Sequence, residues 1–384
     1  MFVGMDLLMN KKNLKLGIFS FPLTKSNATP SKNLVHILSS IASRTYLLTS
    51  TDYLDQIDEY PRVRTYSINY TLEFNSIKKI VKYLQRELRL ALLVKALNKN
   101  VDAWVFFFGG DKYILPMLTA KLLGKKIILL KGGSSIKDAL SINDLFYRAT
   151  LFSLNVNFHL STYIVLYSHS LISEWNFEKY RHKILIAHEH FLDFSTFSVT
   201  TPLPGRPPLI GYIGRLSGEK GVQHFAQALP AILADRQDLR VLIGGDGQLK
   251  ESIEASLQER GVTAHVDLPG WISHDDLPNY LNQLQLLILP SYTEGLPNIM
   301  LEAMACGTPV LATPVGAIPD VIIDGKTGFI MENNSPECIA ENVKRALDSP
   351  DLEQIAKDGR RFVEENFSFE RTVENWKEIL QSVE

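Results

Sequence analysis

The sequence predicts an α/β protein with two doubly wound, Rossmann-like domains that face each other across a cleft. Three observations support this fold class. Short apolar runs alternate with amphipathic helical stretches, which is typical of βαβ units and parallel sheets. A proline-rich segment interrupts the alternation near the middle of the chain. The length of 384 residues suits two domains of ordinary size.

The first half begins with an apolar run at 14–21, which predicts a buried strand. A polar loop at 22–30 and a helical pattern at 31–43 follow. A long amphipathic helix or helix pair is predicted over 75–99, because apolar residues recur there at steps of three and four. The other predicted elements are strands at 46–49, 104–108, 126–130 and 163–166 and a helix at 113–123.

The best linker is the segment 200–208, which holds four prolines in nine residues and cannot form a helix or a central strand. We expect a first domain over 1–199 and a second over 209–367. The alternation restarts after the linker. It predicts strands at 209–213, 239–243, 265–268, 286–289, 310–312 and 328–330 and helices at 222–233, 248–260, 277–283 and 296–305.

Composition and charge narrow the function classes. Two cysteines exclude a disulfide framework and fit a reducing cytosol. The net charge of −2 argues against a general nucleic-acid binder. The two halves have opposite net charges, +10 over 1–200 and −12 over 201–384, which suggests two domains with different partners. Compositional drift between domains is the alternative.

Neither apolar stretch of the first half predicts a membrane span. Residues 1–10 are too few for a secretory signal. Residues 149–173 contain no Asp, Glu, Lys or Arg, but their asparagine, histidine and hydroxyl side chains are too polar for the hydrocarbon core. We expect a buried helix and a buried strand there, and no integral span.

Two glycine-rich clusters follow strands of the second predicted domain. The segment 211–221 contains Arg215 and Lys220, two cations suited to a diphosphate; a solvated surface loop is the alternative. The segment Gly-Gly-Asp-Gly at 244–247 opens a helix without matching G-x-G-x-x-G. It is either a phosphate loop or a tight turn that needs glycine.

The third cluster, over 291–309, contains Glu294 in a loop and Glu302 about two turns into the following helix. The N-terminus of that helix offers free N–H groups and the positive end of a dipole, which suits a phosphate. The residues next to Glu302 in this helix are apolar, so its carboxylate needs a specific partner. A pair of sugar hydroxyls would be such a partner. Alternatively, Glu302 lies on a solvated face.

Together these segments resemble the retaining GT-B glycosyltransferases of family 4, also called glycosyl transferases group 1. The resemblance covers 207–347 strongly and the closing segment 367–380 moderately. The motifs are G-R-L-x-x-E-K-G at 214–221, G-G-D-G at 244–247, G-W-I-x-x-x-x-L-P-x-Y at 270–280 and P-S-x-x-E-G-L-P-N-x-x-L-E-A-M-A-C-G-T-P-V at 290–310. The first domain matches only in its α/β alternation.

The resemblance implies a GT-B fold in which the second domain holds a nucleotide-sugar donor, a UDP- or GDP-sugar. Arg215 and Lys220 would bind the diphosphate, Glu302 the ribose hydroxyls and Glu294 the transferred sugar, so the implied catalytic residues are Glu294, Arg215 and Lys220. The backbone of Ile272 would meet the base. The remaining implied donor-binding residues are Gly214, Gly295 and Leu296. A last helix, 368–384, would cross back to the acceptor-binding first domain.

No metal or cofactor is expected. No two aspartates lie two positions apart, so the Asp-x-Asp pair that holds Mg²⁺ in many glycosyltransferases is missing, and Arg215 and Lys220 would replace the ion. The family retains anomeric configuration by front-face attack, so we assign no covalent nucleophile.

The acceptor side departs from the family. The loop 22–30 lacks the glycine pair of many relatives, and Lys131 stands where many have a histidine. Lys131 either substitutes for that histidine or the role is missing. His188 and His190 are interpreted as structural histidines. The implied acceptor is a hydroxyl of a glycan or a lipid-linked glycan.

Residues 75–99 carry seven cations and a single acid, Glu87, beside an apolar stripe. This pattern suits docking on an anionic membrane surface, and an ordinary helix packed on the sheet is the alternative. The protein is therefore expected in the cytoplasm, either free or peripheral on the inner face of the membrane. Other readings of the chain are a catalytically silent scaffold subunit and a sugar-nucleotide epimerase. A dehydrogenase is disfavoured because G-x-G-x-x-G is missing.

Overall fold

The computed structural model describes residues 14–24, 27–52, 60–70, 76–133 and 147–383. The chain divides into two compact units, one of Met1–His190 with Thr372–Glu384 and the other of Phe191–Arg371. The predicted apolar run at 1–10, part of the predicted loop 22–30 and the first residue of the predicted helix 75–99 fall outside the described residues. Within the described ranges, no helix combines the length and the apolar character needed to cross a membrane.

The first unit is built on a parallel sheet. Its strands are β1 (Lys15–Phe19), β2 (Arg44–Ser50), β3 (Val63–Ile68), β4 (Ala103–Phe106), β5 (Lys126–Lys131), β6 (Tyr163–Leu166) and β7 (Ile184–Ile186). Their order is β3-β2-β1-β4-β5-β6-β7. The flanking helices are α1 (Ala28–Ile41), α2 (Ser76–Ala96), α3 (Ile114–Leu122), α4 (Tyr147–Leu160) and α5 (Ser170–Glu174). All residues of the central strand β4 are buried, as expected when helices cover both faces.

The second unit repeats this plan. Its strands are β8 (Leu209–Ile213), β9 (Arg240–Gly244), β10 (Val266–Gly270), β11 (Leu286–Leu289), β12 (Val310–Ala312) and β13 (Phe329–Ile330), in the order β10-β9-β8-β11-β12-β13. Its helices are α6 (Val222–Asp235), α7 (Lys250–Glu259), α8 (Leu277–Leu281), α9 (Asn298–Ala305), α10 (Ile318–Val321), α11 (Pro336–Leu347) and α12 (Leu352–Asn366). All pairings in both sheets are parallel.

The last helix, α13 (Phe369–Val383), returns to the first unit from Thr372 onwards. The indole nitrogen of Trp376 donates to the carbonyl of His188 at 2.8 Å, and the hydroxyl of Thr372 donates to the carbonyl of His190 at 3.1 Å. Trp376 is fully buried. The end of the chain is therefore anchored beside the last strand of the first sheet.

The proline-rich segment 200–208 belongs to the second unit, although the sequence predicts it as a linker. The guanidinium of Arg206 is buried and donates at 2.7 Å to the carbonyls of Leu284 and Cys306 and to the hydroxyl of Thr308. The side-chain oxygen of Asn282 accepts from the amide of Thr200 at 2.8 Å. These bonds fix the segment to the second unit, and the boundary falls between His190 and Phe191.

The α/β class with two parallel sheets is confirmed. Each sheet reverses its strand order at one point, between β1 and β4 in the first unit and between β8 and β11 in the second. In open α/β sheets, ligands bind outside the carboxyl ends of the strands at such a point. The chain segments that follow β8 and β11 are therefore the first place to look for a site in the second unit.

Candidate functional site

The strands β8 and β11 are direct neighbours, and the loops that follow them meet. Ile210 and Gly211 of β8 pair with Leu286 and Leu287 of β11. The amide of Tyr292, in the loop after β11, donates to the carbonyl of Glu219, in the loop after β8, at 2.9 Å. The sequence clusters at 211–221 and 291–309 therefore lie side by side at the switch point.

Lys220 and Glu294 form a two-point ion pair across these loops. The Nζ atom of Lys220 lies 2.7 Å from Oε1 and 2.8 Å from Oε2 of Glu294. The hydroxyl of Ser291 donates to the same Oε1 at 2.7 Å. The side chain of Glu294 is only 8% exposed and that of Lys220 is 24% exposed. An ammonium has three N–H donors, so one remains for a ligand.

Glycine makes the close approach of the two loops feasible. Gly221 has φ +67° and follows Lys220 directly, and a Cβ there would lie 1.9 Å from the carbonyl oxygen of Pro290. Gly316 has φ +64°, and its Cβ would lie 2.5 Å from the carbonyl oxygen of Glu294. The backbone on either side of the ion pair therefore has no room for a side chain.

Arg215 lies on the exposed side of the same β8 loop. Its side chain is 64% exposed, and its nearest acidic partner is Glu219 at 3.4 Å. The hydroxyl of Tyr212 donates to the carbonyl of Arg215 at 2.7 Å, and the amide of Gly214 donates to the carbonyl of Gly244 at 3.0 Å. The backbone that carries Arg215 is thus fixed, while its guanidinium extends into solvent.

Gly295 and Leu296 lead from Glu294 into helix α9. The carbonyl of Gly295 accepts from the amide of Ala317 at 2.8 Å, and Leu296 is buried. The residue before the helix, Pro297, offers no side-chain cap. The N-terminus of α9 therefore receives no side-chain cap from Pro297, and free N–H groups at a helix N-terminus can bind an anion.

The second carboxylate of the cluster, Glu302, is buried inside α9, so it does not lie on a solvated face. Its Oε1 atom lies 3.2 Å from Nε2 of His274, whose side chain is 67% exposed. His274 belongs to the loop after β10, two residues beyond Ile272. A Cβ on Gly244 would lie 2.5 Å from Cδ1 of Ile272, so that side chain packs against the end of β9.

Lys131 lies in the first unit, at the end of β5. Its ammonium and the carboxylate of Asp111 form a buried ion pair. Nearby in the same unit, the hydroxyl of Tyr167 donates to Oε1 of Glu189 at 2.6 Å. A Cβ on Gly132 would lie 2.3 Å from that hydroxyl. Polar groups thus gather at the carboxyl ends of β5, β6 and β7.

Burial shifts the titration of the segment after β7. It raises the pKa of Glu189 to about 8 and lowers the pKa of His188 to about 4. His190 is buried and His188 is partly buried. In the described part of the chain, no cluster of three or more His, Cys, Asp or Glu side chains is arranged to hold a metal ion.

Sequence reasoning missed two residues of the second-unit site. Ser291 bonds to Glu294, and it stands in the motif that contains Glu294, three positions earlier. His274 bonds to Glu302, and it stands in the Gly270–Tyr280 motif. The motif spacing offered a signal for Ser291. Nothing in the sequence pairs His274 with a residue 28 positions away.

The comparisons with known proteins agree with the motifs. The model of the family Glycosyl transferases group 1 matches residues 193–362. The alpha-D-kanosaminyltransferase of Streptomyces kanamyceticus is 31% identical over 147 residues, which are 38% of each chain. A GDP-mannose-dependent monoacylated alpha-(1-6)-phosphatidylinositol monomannoside mannosyltransferase of Corynebacterium glutamicum is 30% identical over 184 residues. That alignment covers 46% of this chain and 47% of the relative.

The fold is shared over a longer stretch than the sequence. The crystal structure of Anabaena HepE in complex with UDP matches with a TM-score of 0.75 at 14% identity, covering 96% of this chain and 100% of that one. By sequence, the chain spans less than half the length of the two curated relatives named above. The matched sequence contains the Lys220–Glu294 pair and Glu302. The second unit of this chain is therefore similar to the family Glycosyl transferases group 1, whose model matches residues 193–362.

Proposed function

We propose that the protein is a retaining glycosyltransferase that moves a sugar from a UDP- or GDP-sugar to an acceptor hydroxyl, without a metal ion. The observation that carries this proposal is the Lys220–Glu294 pair at the β8/β11 switch point. A cation for the leaving diphosphate and a carboxylate for the transferred sugar are in direct contact there. A scaffold that had lost catalysis would have no need for this buried arrangement.

The leaving group defines what the cations do. When the anomeric C–O bond to the diphosphate breaks, negative charge develops on the diphosphate and positive charge on the sugar ring. The third N–H of Lys220 and the guanidinium of Arg215 stabilise the former, together with the N-terminus of α9. Glu294 orients the sugar and stabilises the positively charged ring.

Retention follows from attack on the same face of the sugar. The acceptor oxygen forms the new C–O bond on the face from which the diphosphate leaves, and the acceptor proton passes to a diphosphate oxygen. No residue of the chain forms a covalent intermediate in this scheme. The retaining outcome is carried over from the family, and it is tested by the anomeric configuration of the product in proton NMR.

In this proposal, Glu302 and Ile272 bind the nucleoside part of the donor. The buried Glu302 carboxylate accepts hydrogen bonds from the ribose hydroxyls, which replace water as its donors. The backbone of Ile272 faces the base, and Gly214, Gly295 and Leu296 bring backbone close to the phosphates. HepE of Anabaena was crystallised with UDP, which makes uracil the first base to try.

The test is nucleotide binding and turnover in the presence of EDTA. We expect UDP or GDP to raise the unfolding temperature, because a ligand at 100 times its Kd adds about 2.7 kcal/mol to stability. Turnover of the matching nucleotide sugar should survive EDTA. In Glu294→Gln, turnover should fall by at least about a hundredfold while the fold is kept.

Three results would contradict the proposal or a part of it. Binding without any turnover, with a range of sugar donors and acceptors, favours a silent scaffold. Interconversion of the donor into its epimer, with no transfer, favours the epimerase. Loss of turnover in EDTA that Mg²⁺ restores removes the metal-free part of the proposal.

On the acceptor side, we infer that the first unit docks on an anionic membrane surface through helix α2. This helix has an exposed apolar stripe whose members recur largely at steps of four. The stripe consists of Ile80, Val81, Leu84, Leu88 and Leu92, each between 45% and 58% exposed. A lipid-linked acceptor would be reached from such a surface.

The charges beside the stripe fit the same partner. Arg89, Lys95 and Lys99 are exposed on α2 and the turn that follows it. The single acid of the helix, Glu87, is buried and accepts from the amides of Ile114 and Leu115 at 2.9 and 2.8 Å. Since Glu87 caps helix α3, the exposed face of α2 carries only positive charge. Basic amphipathic helices of this type bind anionic lipid.

Liposome flotation tests the docking. The wild type should float with vesicles that contain anionic lipid and remain behind with zwitterionic vesicles, and salt should weaken the binding. The variant Leu84→Glu/Leu88→Glu should lose flotation. Ile323→Glu in the second unit, at a residue that is 47% exposed, is the matched control. Equal flotation of the two variants, or none of the wild type at low salt, overturns this inference.

A further inference from the structure

The carboxylate of Glu302 is buried but has little support from the protein. Its side chain is 10% exposed, and Nε2 of His274 lies 3.2 Å from Oε1. Among the described residues, no other side chain or backbone amide donates a hydrogen bond to this carboxylate. Buried carboxylate oxygens are normally satisfied. The second oxygen, Oε2, is therefore available to a ligand.

His274 is exposed, yet its ring is held in place. The ring stands edge to face with the ring of Phe197, with centroids 5.2 Å apart and planes at 72°. Phe197 is itself buried. Contact with a buried aromatic ring on one side and with Glu302 on the other fixes the direction of the Nε2 atom.

The loop that carries His274 also carries Ile272, which packs against the end of β9. The hydrogen bond from His274 to Glu302 thus ties the loop after β10 to helix α9. In the proposed donor site, the loop after β10 contacts the base and helix α9 contacts the ribose. The bond between them would keep the two subsites at a constant spacing.

We propose that His274 is a positioning residue for the nucleoside part of the donor, holding the Glu302 carboxylate in the orientation that receives the ribose hydroxyls. This inference rests on the proposed function. One ribose hydroxyl donates to Oε2, and the other shares Oε1, which has a second lone pair. His274 acts through Glu302 and does not itself touch the sugar.

The charges around His274 strengthen this bond. Glu302 faces the ring from α9, Asp275 lies next to it in its own loop, and Phe197 contributes no charge. The hydrogen bond to Glu302 raises the pKa of His274 above its ordinary value. A protonated ring donates a charge-assisted hydrogen bond, which is stronger than a neutral one.

The experiment compares two ligands on matched variants by calorimetry at pH 6.5. The ligands are UDP or GDP, whichever the wild type binds, and its 2′,3′-dideoxy analogue. His274→Ala should weaken binding of the ribonucleotide about tenfold and leave binding of the dideoxy analogue nearly unchanged. His274→Gln, which keeps an N–H donor, should restore most of the loss. His182→Ala, at an exposed histidine of the first unit, is the control.

Four results would overturn the inference. Unchanged ribonucleotide binding in His274→Ala means that Glu302 needs no partner. Equal weakening of both ligands means that His274 only supports the fold. Tighter ribonucleotide binding means that His274 competes with the ribose. Failure of the wild type to bind any ribonucleotide contradicts the donor site itself, and this distinguishes failure of the proposed function from failure of the role given to His274.

Discussion

Lys220 donates to both carboxylate oxygens of Glu294, at 2.7 and 2.8 Å, although the two residues lie 74 positions apart in the chain. The two side chains come from the loops after neighbouring strands of the second sheet. The cation proposed to bind the diphosphate is therefore already oriented by the carboxylate proposed to contact the sugar. Loss of either partner leaves the other with an unbalanced charge in a site of limited exposure.

We expect Lys220→Ala to lower turnover by about a hundredfold to a thousandfold, as when a donor to a developing anion is removed. It should also lower the free energy of unfolding by about 1 to 3 kcal/mol, because Glu294 keeps only Ser291 as a partner. Lys344→Ala is the control, since Lys344 pairs with Asp235 at 2.9 Å on the surface. That change should leave the stability nearly unchanged, because an exposed ion pair contributes little, and it should leave the activity unchanged. Similar activity in the two variants would contradict the role of Lys220.

The backbone next to Lys220 allows a second test, with a matched glycine. Gly221 and Gly261 have nearly the same left-handed φ, +67° and +69°. A Cβ at Gly221 would lie 1.9 Å from the carbonyl of Pro290, whereas one at Gly261 meets nothing within 4 Å. Gly261→Ala should cost about 1 to 2 kcal/mol for the conformation alone.

Gly221→Ala should cost about 2 kcal/mol beyond that control, because the loops after β8 and β11 must separate. The separation moves Lys220 away from Glu294, so nucleotide binding should fall as well. Urea unfolding and calorimetry measure the two effects. If the two variants are equally stable and both bind nucleotide, the close approach of the loops is not needed.

The fold class and the loops of the candidate site in the second unit were predictable from the sequence, because apolar runs and glycine clusters are local signals. Two strands of the first sheet were not predicted. β3 alternates polar and partly buried residues at the sheet edge, and β7 has only three residues, all partly buried. β3 lacks the continuous apolar run of a central parallel strand, and the apolar run of β7 is only three residues long.

Contacts between residues far apart in the chain could not be predicted from the sequence. The prolines around Arg206 correctly indicate a segment without α-helix or strand, and it contains only a short 3-10 helix at Leu203–Gly205. The sequence cannot show that the guanidinium of Arg206 bonds to residues 78 and 100 positions away. The same holds for His274 and Glu302. Local pattern thus identifies a charged or polar residue near a site, and only the folded chain shows what it contacts.

The pair of His274 and Glu302 makes stability depend on pH. The hydrogen bond raises the pKa of His274, so the folded chain holds this proton more tightly than the unfolded one. The stabilisation is complete below the ordinary value of 6.5 and is lost as the pH rises through the raised pKa. The stability difference between wild type and His274→Ala should therefore be larger at pH 5.5 than at pH 8.5.

Between pH 5.5 and 8.5, the stability difference between wild type and His274→Ala should change by about 0.5 kcal/mol. The change is small because the side chain of His274 is mostly exposed and screened by solvent. Thermal unfolding of the wild type, His274→Ala and the control His182→Ala at both pH values measures it. A stability difference that grows towards pH 8.5 would mean that the neutral ring is the stabilising form.

Glu189 in the first unit should give a pH dependence of its own. Burial raises its pKa to about 8, although the Tyr167 hydroxyl donates to it. The folded chain therefore holds a proton that the unfolded chain releases near pH 4.5. The free energy of unfolding should fall as the pH rises towards 8, by about 1.4 kcal/mol per unit where only the folded state is protonated.

The window to measure is pH 6.5 to 8, with Glu189→Gln as the reference for the histidines that also titrate there. Burial lowers the pKa of the neighbouring His188 to about 4, so that residue is neutral in the folded state, whereas in the unfolded chain it is half protonated at pH 6.5 and almost neutral at pH 8. Glu189→Gln removes the titrating group and keeps an acceptor for Tyr167, so it should flatten the slope. The surface variant Glu178→Gln should keep the slope. Urea unfolding can be followed by tryptophan fluorescence, since three of the four tryptophans lie in the first unit. An equal slope in wild type and Glu189→Gln would show that Glu189 is ionised in the folded protein throughout this window.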